Sequence, residues 1–182
     1  MSMDYHDSAL SEYGEQQCRD LCQSTQNFPL LNDRVHLLVV SPMLRTLQTA
    51  SLTFPYLKDR VRWIALECIR EQTGLHPCDQ RKDISVRSPE FSGVDFSLIE
   101  YDADPLYDQF SSLREPDENV GKRGREFLDW ISTRSEPSVI VVTHSAFLRH
   151  FFNQVVDPSS SFSLSSSPSL SPSPFQPGSR LQ

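Results

Sequence analysis

The sequence predicts an α/β domain with a mainly parallel sheet and helices on both of its faces. Two short apolar runs, VHLLVV at 35–40 and SVIVVT at 138–143, have the continuous β-branched and leucine composition of buried parallel strands. Each run leads directly into a helical pattern, and a further strand is expected between them at 61–67. Strands that alternate with helices are typical of layered α/β domains, because parallel strands need crossover connections.

The helices of this domain are expected at positions that agree with the strand assignments. Ser41 is the expected N-cap of the helix after the first strand, since Pro42 suits a first helical position. The stretch from Cys68 to about Pro116 has no regular pattern and is interrupted by prolines, so we expect it to be irregular. Helices are expected over 11–26, 42–54, 119–134 and 145–156.

Composition excludes several classes of function. The 182 residues carry a net charge of −7, which disfavours general binding to nucleic acids or anionic membranes. No apolar run is long enough to span a bilayer, and the acidic start MSMDYHDSAL does not resemble a secretory signal, so we expect a cytoplasmic protein. Residues 1–156 are expected to form the domain. Residues 157–182, with 11 serines and 5 prolines, are expected to be a disordered tail.

Two strand-to-helix junctions carry side chains suited to binding an oxyanion. Arg45 lies in the first turn of the helix that follows strand 35–40, and His144 comes directly after strand 138–143. The carboxyl ends of parallel strands share one edge of the sheet, and helix N-termini there present unpaired N–H groups. Taken singly, each residue is better explained by an ordinary surface or loop position. Together they predict a shared anion pocket, because a guanidinium binds two oxygens at once.

A carboxylate that could exchange protons with a bound substrate follows strand 61–67. Glu71 is placed to protonate a leaving oxygen, and Glu67 competes for the same role. A solvated loop glutamate is the ordinary alternative. We expect no metal site, since His144 and His150 project from different helical faces and the sequence has no C-x-x-C pair.

Several motifs in a fixed order resemble the histidine phosphatase superfamily, which is also called phosphoglycerate mutase-like. The most specific of them is SPMLRTLQTA at 41–50. The others are LSEYGEQQ at 10–17, the RE pair and glycine within 70–74, and VVTHS at 141–145. The segment 74–81 is similar to a subgroup of phosphoglycerate mutase-like proteins from plants, fungi and protists.

The resemblance implies phosphate-ester hydrolysis, and less readily a mutase reaction, without a cofactor. In the family a histidine attacks phosphorus, cationic side chains and a second histidine hold the phosphoryl oxygens, and a carboxylic acid protonates the leaving group. The implied catalytic residues are Glu71 and His144. The implied partner is a phosphorylated small molecule or other phosphoester. The residues expected to bind its phosphate or the rest of the substrate are Arg45, Ser41, His76, Asp79 and Arg81.

The nucleophile of the family does not match this sequence. It belongs to an R-H-G motif at the end of a strand upstream of the segment like 10–17, and R-H-G does not occur here. His6 lies in DYHDSAL, with no strand before it. We therefore expect a domain truncated at the first strand and inactive as it stands. The alternatives are a non-catalytic protein that binds an anion or a partner, and a truncated product.

Overall fold

A four-stranded parallel sheet organises the domain, as the sequence predicts. The computed structural model describes residues 5–28, 31 and 33–156, and the expected tail at 157–182 lies outside them. The strands stand in the order β3-β2-β1-β4, and every pairing is parallel. They are β1 Leu37–Val40, β2 Arg62–Ala65, β3 Val94–Asp95 and β4 Val139–Val142.

The central strands end at the same level of the sheet. In the register, Val40 is the partner of both Ala65 and Val142. The residues that follow β1, β2 and β4 therefore emerge along one edge, where ligands bind in sheets of this kind. Strand β1 lies between β2 and β4, and all of its residues are fully buried, as the apolar run predicts.

The four expected helices are present with ends shifted by a few residues. The last continues from an α-helix into a π-helical segment, Phe152–Val156. Short 3₁₀ turns occur at Pro55–Leu57, Glu67–Ile69 and Pro77–Asp79. The α-helices are α1 Glu12–Thr25, α2 Leu44–Thr53, α3 Ile84–Glu90, α4 Pro105–Phe110, α5 Asp117–Ser132 and α6 Ser145–Phe151.

Apolar side chains cover both faces of the sheet, because successive strand residues point in opposite directions. On one face, Leu38 of β1 packs in a core with Leu47 of α2 and Trp63 of β2. On the other face, Val39 packs with Phe127 of α5 and Phe147 of α6. The helices therefore form two layers around one sheet. Among the described residues, no helix has the length and apolar character needed to cross a membrane.

Two local predictions are wrong. Ser41 is not the N-cap of α2: that position is Met43, and Asp7 accepts a hydrogen bond from the Leu44 N–H at 2.9 Å. A carboxylate distant in sequence thus satisfies this helix start. The stretch 68–116 is also more regular than expected, since it contains α3, β3 and α4. Strand β3 depends on pairing with β2, which a local pattern cannot reveal.

Candidate active site

His144 and Ser41 join the carboxyl ends of β4 and β1. The His144 Nε2 and Ser41 Oγ atoms are hydrogen-bonded at 2.9 Å. The backbone brings them together, because the Ser41 N–H donates to the Val142 carbonyl at 3.0 Å. Both side chains are buried. The sequence prediction that the two junctions share one edge is therefore matched by direct contact between them.

The imidazole of His144 is held neutral. Burial is the main cause that lowers the pKa of His144 from 6.5 to about 2, and the nearby guanidinium groups of Arg45, Arg70 and Arg123 act in the same direction. A neutral imidazole has one N–H, which it can donate to an oxyanion, and one nitrogen that accepts. The surrounding arginines also supply positive potential where His144 is uncharged.

Arg45 lies in the first turn of α2, where the sequence predicts it. Its Nη1 donates to the carbonyl of Cys78 at 2.8 Å, which ties α2 to the 3₁₀ turn Pro77–Asp79. The side chain is half-buried and its charge acts on both His144 and Asp79. Arg45 therefore stands between the sheet edge and the loop that carries His76 and Asp79.

Glu71 is positioned by two backbone N–H groups. Its Oε1 accepts from the Gln72 N–H at 3.0 Å and from the Phe147 N–H at 3.2 Å. Helix α6 begins directly after His144, and Phe147 lies in its first turn. The Glu71 carboxylate therefore lies at the start of this helix. Thr143 fixes the same loop, because its Oγ1 donates to the carbonyl of Ile69 at 2.6 Å.

Glu67, the competing acid, is engaged elsewhere. Its carboxylate accepts hydrogen bonds from the guanidinium groups of Arg70 and Arg81. These two guanidinium groups occupy its carboxylate oxygens, so the side chain belongs to the protein framework. Of the two glutamates, Glu71 is the one beside the β4–α6 junction.

Asp79 and His76 lie on the loop that Arg45 contacts. Asp79 is buried, and its Oδ2 has no hydrogen-bond partner among the described residues; the nearest cation is Arg114 Nη1 at 3.7 Å. Burial raises the pKa of Asp79, while Arg114 and Arg45 act in the opposite direction. His76 is exposed and close enough to influence Asp79. Their proposed contact with substrate stays a prediction.

Arg81 is part of the protein framework. Its Nε donates to Glu67, and its two terminal nitrogens donate to four backbone carbonyls. All five guanidinium N–H groups are thereby used within the protein. An additional contact with substrate would require breaking one of these bonds, so we interpret Arg81 as a residue that positions the surrounding loops.

The sequence does not identify the arginines that support the site. Arg123 of α5 donates to the carbonyls of Cys68, Arg70 and Glu71 and forms an ion pair with buried Glu115. Arg70 pairs with Asp104, 34 residues away. These contacts hold the loop that carries Glu71. A sequence signal for them is lacking, since each partner lies on another element.

The fold and the site define a class of α/β protein in which arginine, histidine and glutamate side chains gather where parallel strands run into helices. A family model described as "Histidine phosphatase superfamily (branch 1)" matches residues 3–165. The chain belongs to this superfamily, which confirms the family indicated by the motifs. In the part of the chain that the structure describes, no cluster of three or more histidine, cysteine or acidic residues is arranged to hold a metal ion.

The chain is similar to three curated proteins of Arabidopsis thaliana. "Phosphoglycerate mutase-like protein 1" is 36% identical over 179 residues, which cover 84% of this chain and 62% of the relative. "Phosphoglycerate mutase-like protein" is 38% identical over 173 residues, covering 81% and 63%. "Phosphoglycerate mutase-like protein 2" is 33% identical over 204 residues, covering 84% and 59%. The chain thus spans about three fifths of the length of these relatives.

Proposed function

We propose that the pocket at the carboxyl edge of the sheet binds the phosphoryl group of a phosphorylated small molecule. The observation that carries this proposal is the convergence of Arg45, His144 and Glu71 on that edge. Arg45 supplies a fixed positive charge and paired N–H donors. His144 supplies a neutral N–H donor. Membership of the histidine phosphatase superfamily supports the same substrate class.

The proposed reaction of a complete site is hydrolysis of a phosphomonoester through a phosphohistidine. A histidine nitrogen attacks phosphorus, the P–O bond to the leaving group breaks, and Glu71 gives the leaving oxygen a proton. Water then attacks phosphorus, the P–N bond breaks, and the Glu71 carboxylate takes up a proton from water. Arg45 and His144 stabilise the charge that develops on the phosphoryl oxygens in both steps.

The attacking histidine of an R-H-G motif does not occur in this sequence, so we propose that the 182-residue chain binds phosphate without turning it over. The site then acts as a non-catalytic anion- or partner-binding pocket in this form of the protein. Addition of an upstream strand that ends in Arg-His-Gly should produce an acid-labile phosphoprotein and hydrolysis of p-nitrophenyl phosphate. Lack of both in a folded, longer chain would contradict the proposed chemistry.

Binding by the chain as it stands is the direct test. Orthovanadate, a phosphate analogue, should bind in a calorimetric titration, and Arg45→Ala should weaken binding by roughly 10-fold or more, as for a charged hydrogen bond. The matched control is Arg19→Ala, which removes an exposed arginine of α1. Equal vanadate affinity in Arg45→Ala and wild type would overturn the proposed pocket. Turnover of p-nitrophenyl phosphate by the purified chain would exclude the non-catalytic alternative.

We also propose a cytoplasmic location. The support is chemical: Cys18, Cys22, Cys68 and Cys78 are all free thiols, as expected in a reducing compartment. Imaging a fluorescent fusion of the full chain checks the proposal. Accumulation in an organelle of the secretory pathway would contradict it.

A further inference from the structure

Arg114 lies against the loop that carries Glu71. The N–H of the next residue, Glu115, donates to the carbonyl of Thr73 at 2.9 Å. A Cβ added to Gly74 would lie 3.0 Å from the Arg114 Cα atom, so the two backbones are in close contact. The Arg114 backbone is therefore fixed beside the residues that follow Glu71 in the chain.

The guanidinium of Arg114 reaches from this position to the turn Pro77–Asp79. Its Nη1 atom lies 3.7 Å from Asp79 Oδ2, which is close enough for an ion pair but too long for a hydrogen bond. Arg114 donates no side-chain hydrogen bond to any residue that the structure describes, and its side chain is 42% exposed. In contrast to Arg81, its guanidinium N–H groups are thus available to a ligand.

Asp79 attracts this guanidinium while its own carboxylate stays enclosed. Oδ2 is buried and accepts no hydrogen bond from a described residue. Because a buried carboxylate is costly unless a positive charge matches it, Asp79 favours the position in which Arg114 lies over the turn. A ligand that approaches from the solvent meets the guanidinium of Arg114 and not Asp79 Oδ2. Asp79 is therefore a positioning residue for Arg114.

Arg114 and Arg45 approach the same turn from different directions. Arg45 donates to the carbonyl of the residue before Asp79. The charge of Arg45 lowers the pKa of both His144 and Asp79, whereas that of Arg114 acts on Asp79 alone of the two. Arg114 thus lies farther from His144 than Arg45 does, on the side of the loop that carries Glu71. This is the side of the proton donor to the leaving group in the proposed reaction.

We propose that Arg114 binds a second anionic group, which the substrate carries on its leaving-group side. The inference rests on the function proposed for the pocket. Arg45 and Arg114 contribute two positive charges and Asp79 one negative charge, while Glu71 is uncharged when it holds the proton for the leaving oxygen. The remaining positive charge favours an anionic leaving group over a neutral one. A carboxylate and a second phosphate share the paired oxygens that a guanidinium binds.

Calorimetric titration of the 182-residue chain with three phosphonates tests this inference. Propylphosphonate has a neutral tail, 3-phosphonopropionate ends in a carboxylate, and ethylenebisphosphonate ends in a second phosphonate. After correction for the two equivalent ends of ethylenebisphosphonate, the ligands with an anionic tail should bind roughly three- to tenfold more tightly than propylphosphonate. This gain is expected for one partly exposed, charge-assisted hydrogen bond. A gain with one anionic tail alone supports the inference and identifies the group that Arg114 binds.

Variants distinguish Arg114 from the phosphate pocket itself. Arg114→Gln should remove the preference for an anionic tail and change the affinity for propylphosphonate by less than about twofold, whereas Arg45→Ala should weaken binding of all three ligands. The matched control is Arg125→Gln, which removes an exposed arginine of α5 and should retain the preference.

The outcomes separate failure of this inference from failure of the proposed function. If propylphosphonate binds and its binding depends on Arg45, the pocket stands. Equal affinity for the three ligands, or a preference that persists in Arg114→Gln or disappears in Arg125→Gln, then overturns the role of Arg114 alone. If propylphosphonate does not bind to the wild-type chain, the proposed function and this inference are both overturned.

Discussion

His144 shows how a single buried side chain links the site to stability. Because the folded-state pKa of His144 is about 2, the folded protein binds fewer protons than the unfolded chain at any pH between that value and 6.5. The free energy of unfolding should therefore fall as the pH decreases below 6.5. The slope from one such group is at most about 1.4 kcal/mol per pH unit.

The pH dependence can be assigned to His144 with one substitution. Between pH 7 and 5.5, urea unfolding of the wild type should lose about 1 kcal/mol more stability than His144→Asn, which has no titrating ring. Burial also lowers the pKa of His150, but His150 is present in both proteins and its contribution cancels. An equal loss in the two proteins would show that His144 is protonated normally in the folded state.

The buried pair of Glu115 and Arg123 should be a main determinant of stability. Glu115 is 1% exposed, and its two oxygens accept from Arg123 Nε and Nη2 at 2.9 and 2.7 Å. Glu115→Gln leaves a buried guanidinium without its counter-charge, and we expect a loss of about 3–5 kcal/mol in urea unfolding. The control is Glu15→Gln in the exposed pair with Arg19, which should change stability by less than about 1 kcal/mol. Similar effects in the two variants would contradict this role.

The site residues that can be identified from the sequence are those that follow a recognisable strand, because the strand determines where in the fold they lie. Arg45 and His144 each closely follow an apolar strand, so the parallel sheet brings them to one edge. Asp7 and Arg87 form a buried ion pair that joins positions 80 residues apart, and nothing near either residue indicates the other. Such pairs are determined by packing of whole elements and stay hidden from local patterns.

At the scale of elements, the loop after Glu71 depends on one glycine. Gly74 has φ of +114°, and a Cβ there would lie 2.3 Å from the carbonyl oxygen of Leu113 and 2.8 Å from that of Phe110. Both strain and collision therefore oppose any other residue. The close approach presses the loop against the end of α4, which helps to fix the direction in which the chain leaves Glu71.

Gly74→Ala should destabilise the protein by about 2 kcal/mol or more, because the substitution adds backbone strain to a steric clash. Gly14→Ala in α1 is the matched control: an added Cβ meets nothing closer than 3.5 Å, so the change should stabilise by about 0.5–1 kcal/mol. Both are measured by urea unfolding at pH 7. A neutral effect of Gly74→Ala would mean that this loop relaxes readily.

Long elements with a strong sequence pattern could be predicted. Short elements that form only through contacts with other elements could not. The helix expected at 119–134 is observed at Asp117–Ser132, and the strand expected at 138–143 is observed at Val139–Val142. Strand β3 has two residues and no periodicity; it forms because Val94 and Asp95 pair with β2. Helix α3 contains Pro89, which argues against a helix from sequence alone.

At the scale of the whole molecule, the strands of the sheet differ in how many neighbouring strands they pair with and in how deeply they are buried. Strand β1 is paired on both sides and fully buried, whereas β4 pairs with β1 and has no second partner among the described residues. Val139, Ile140 and Val141 of β4 are accordingly half-buried. The edge next to the candidate active site therefore has less packing than the centre of the sheet.

This difference predicts an amide exchange pattern that tests whether the 182-residue chain folds alone. All β1 amides have a strand on either side, so they should exchange only through global unfolding and be the slowest in the protein. In β4, the amides that point toward β1 should exchange as slowly as the β1 amides. The alternate β4 amides, which point away from β1, should exchange faster. The helix-end amides of α1 provide a fast reference. NMR exchange at several low urea concentrations measures the opening free energies, and β1 amides as fast as that reference would show that this chain alone does not maintain the fold.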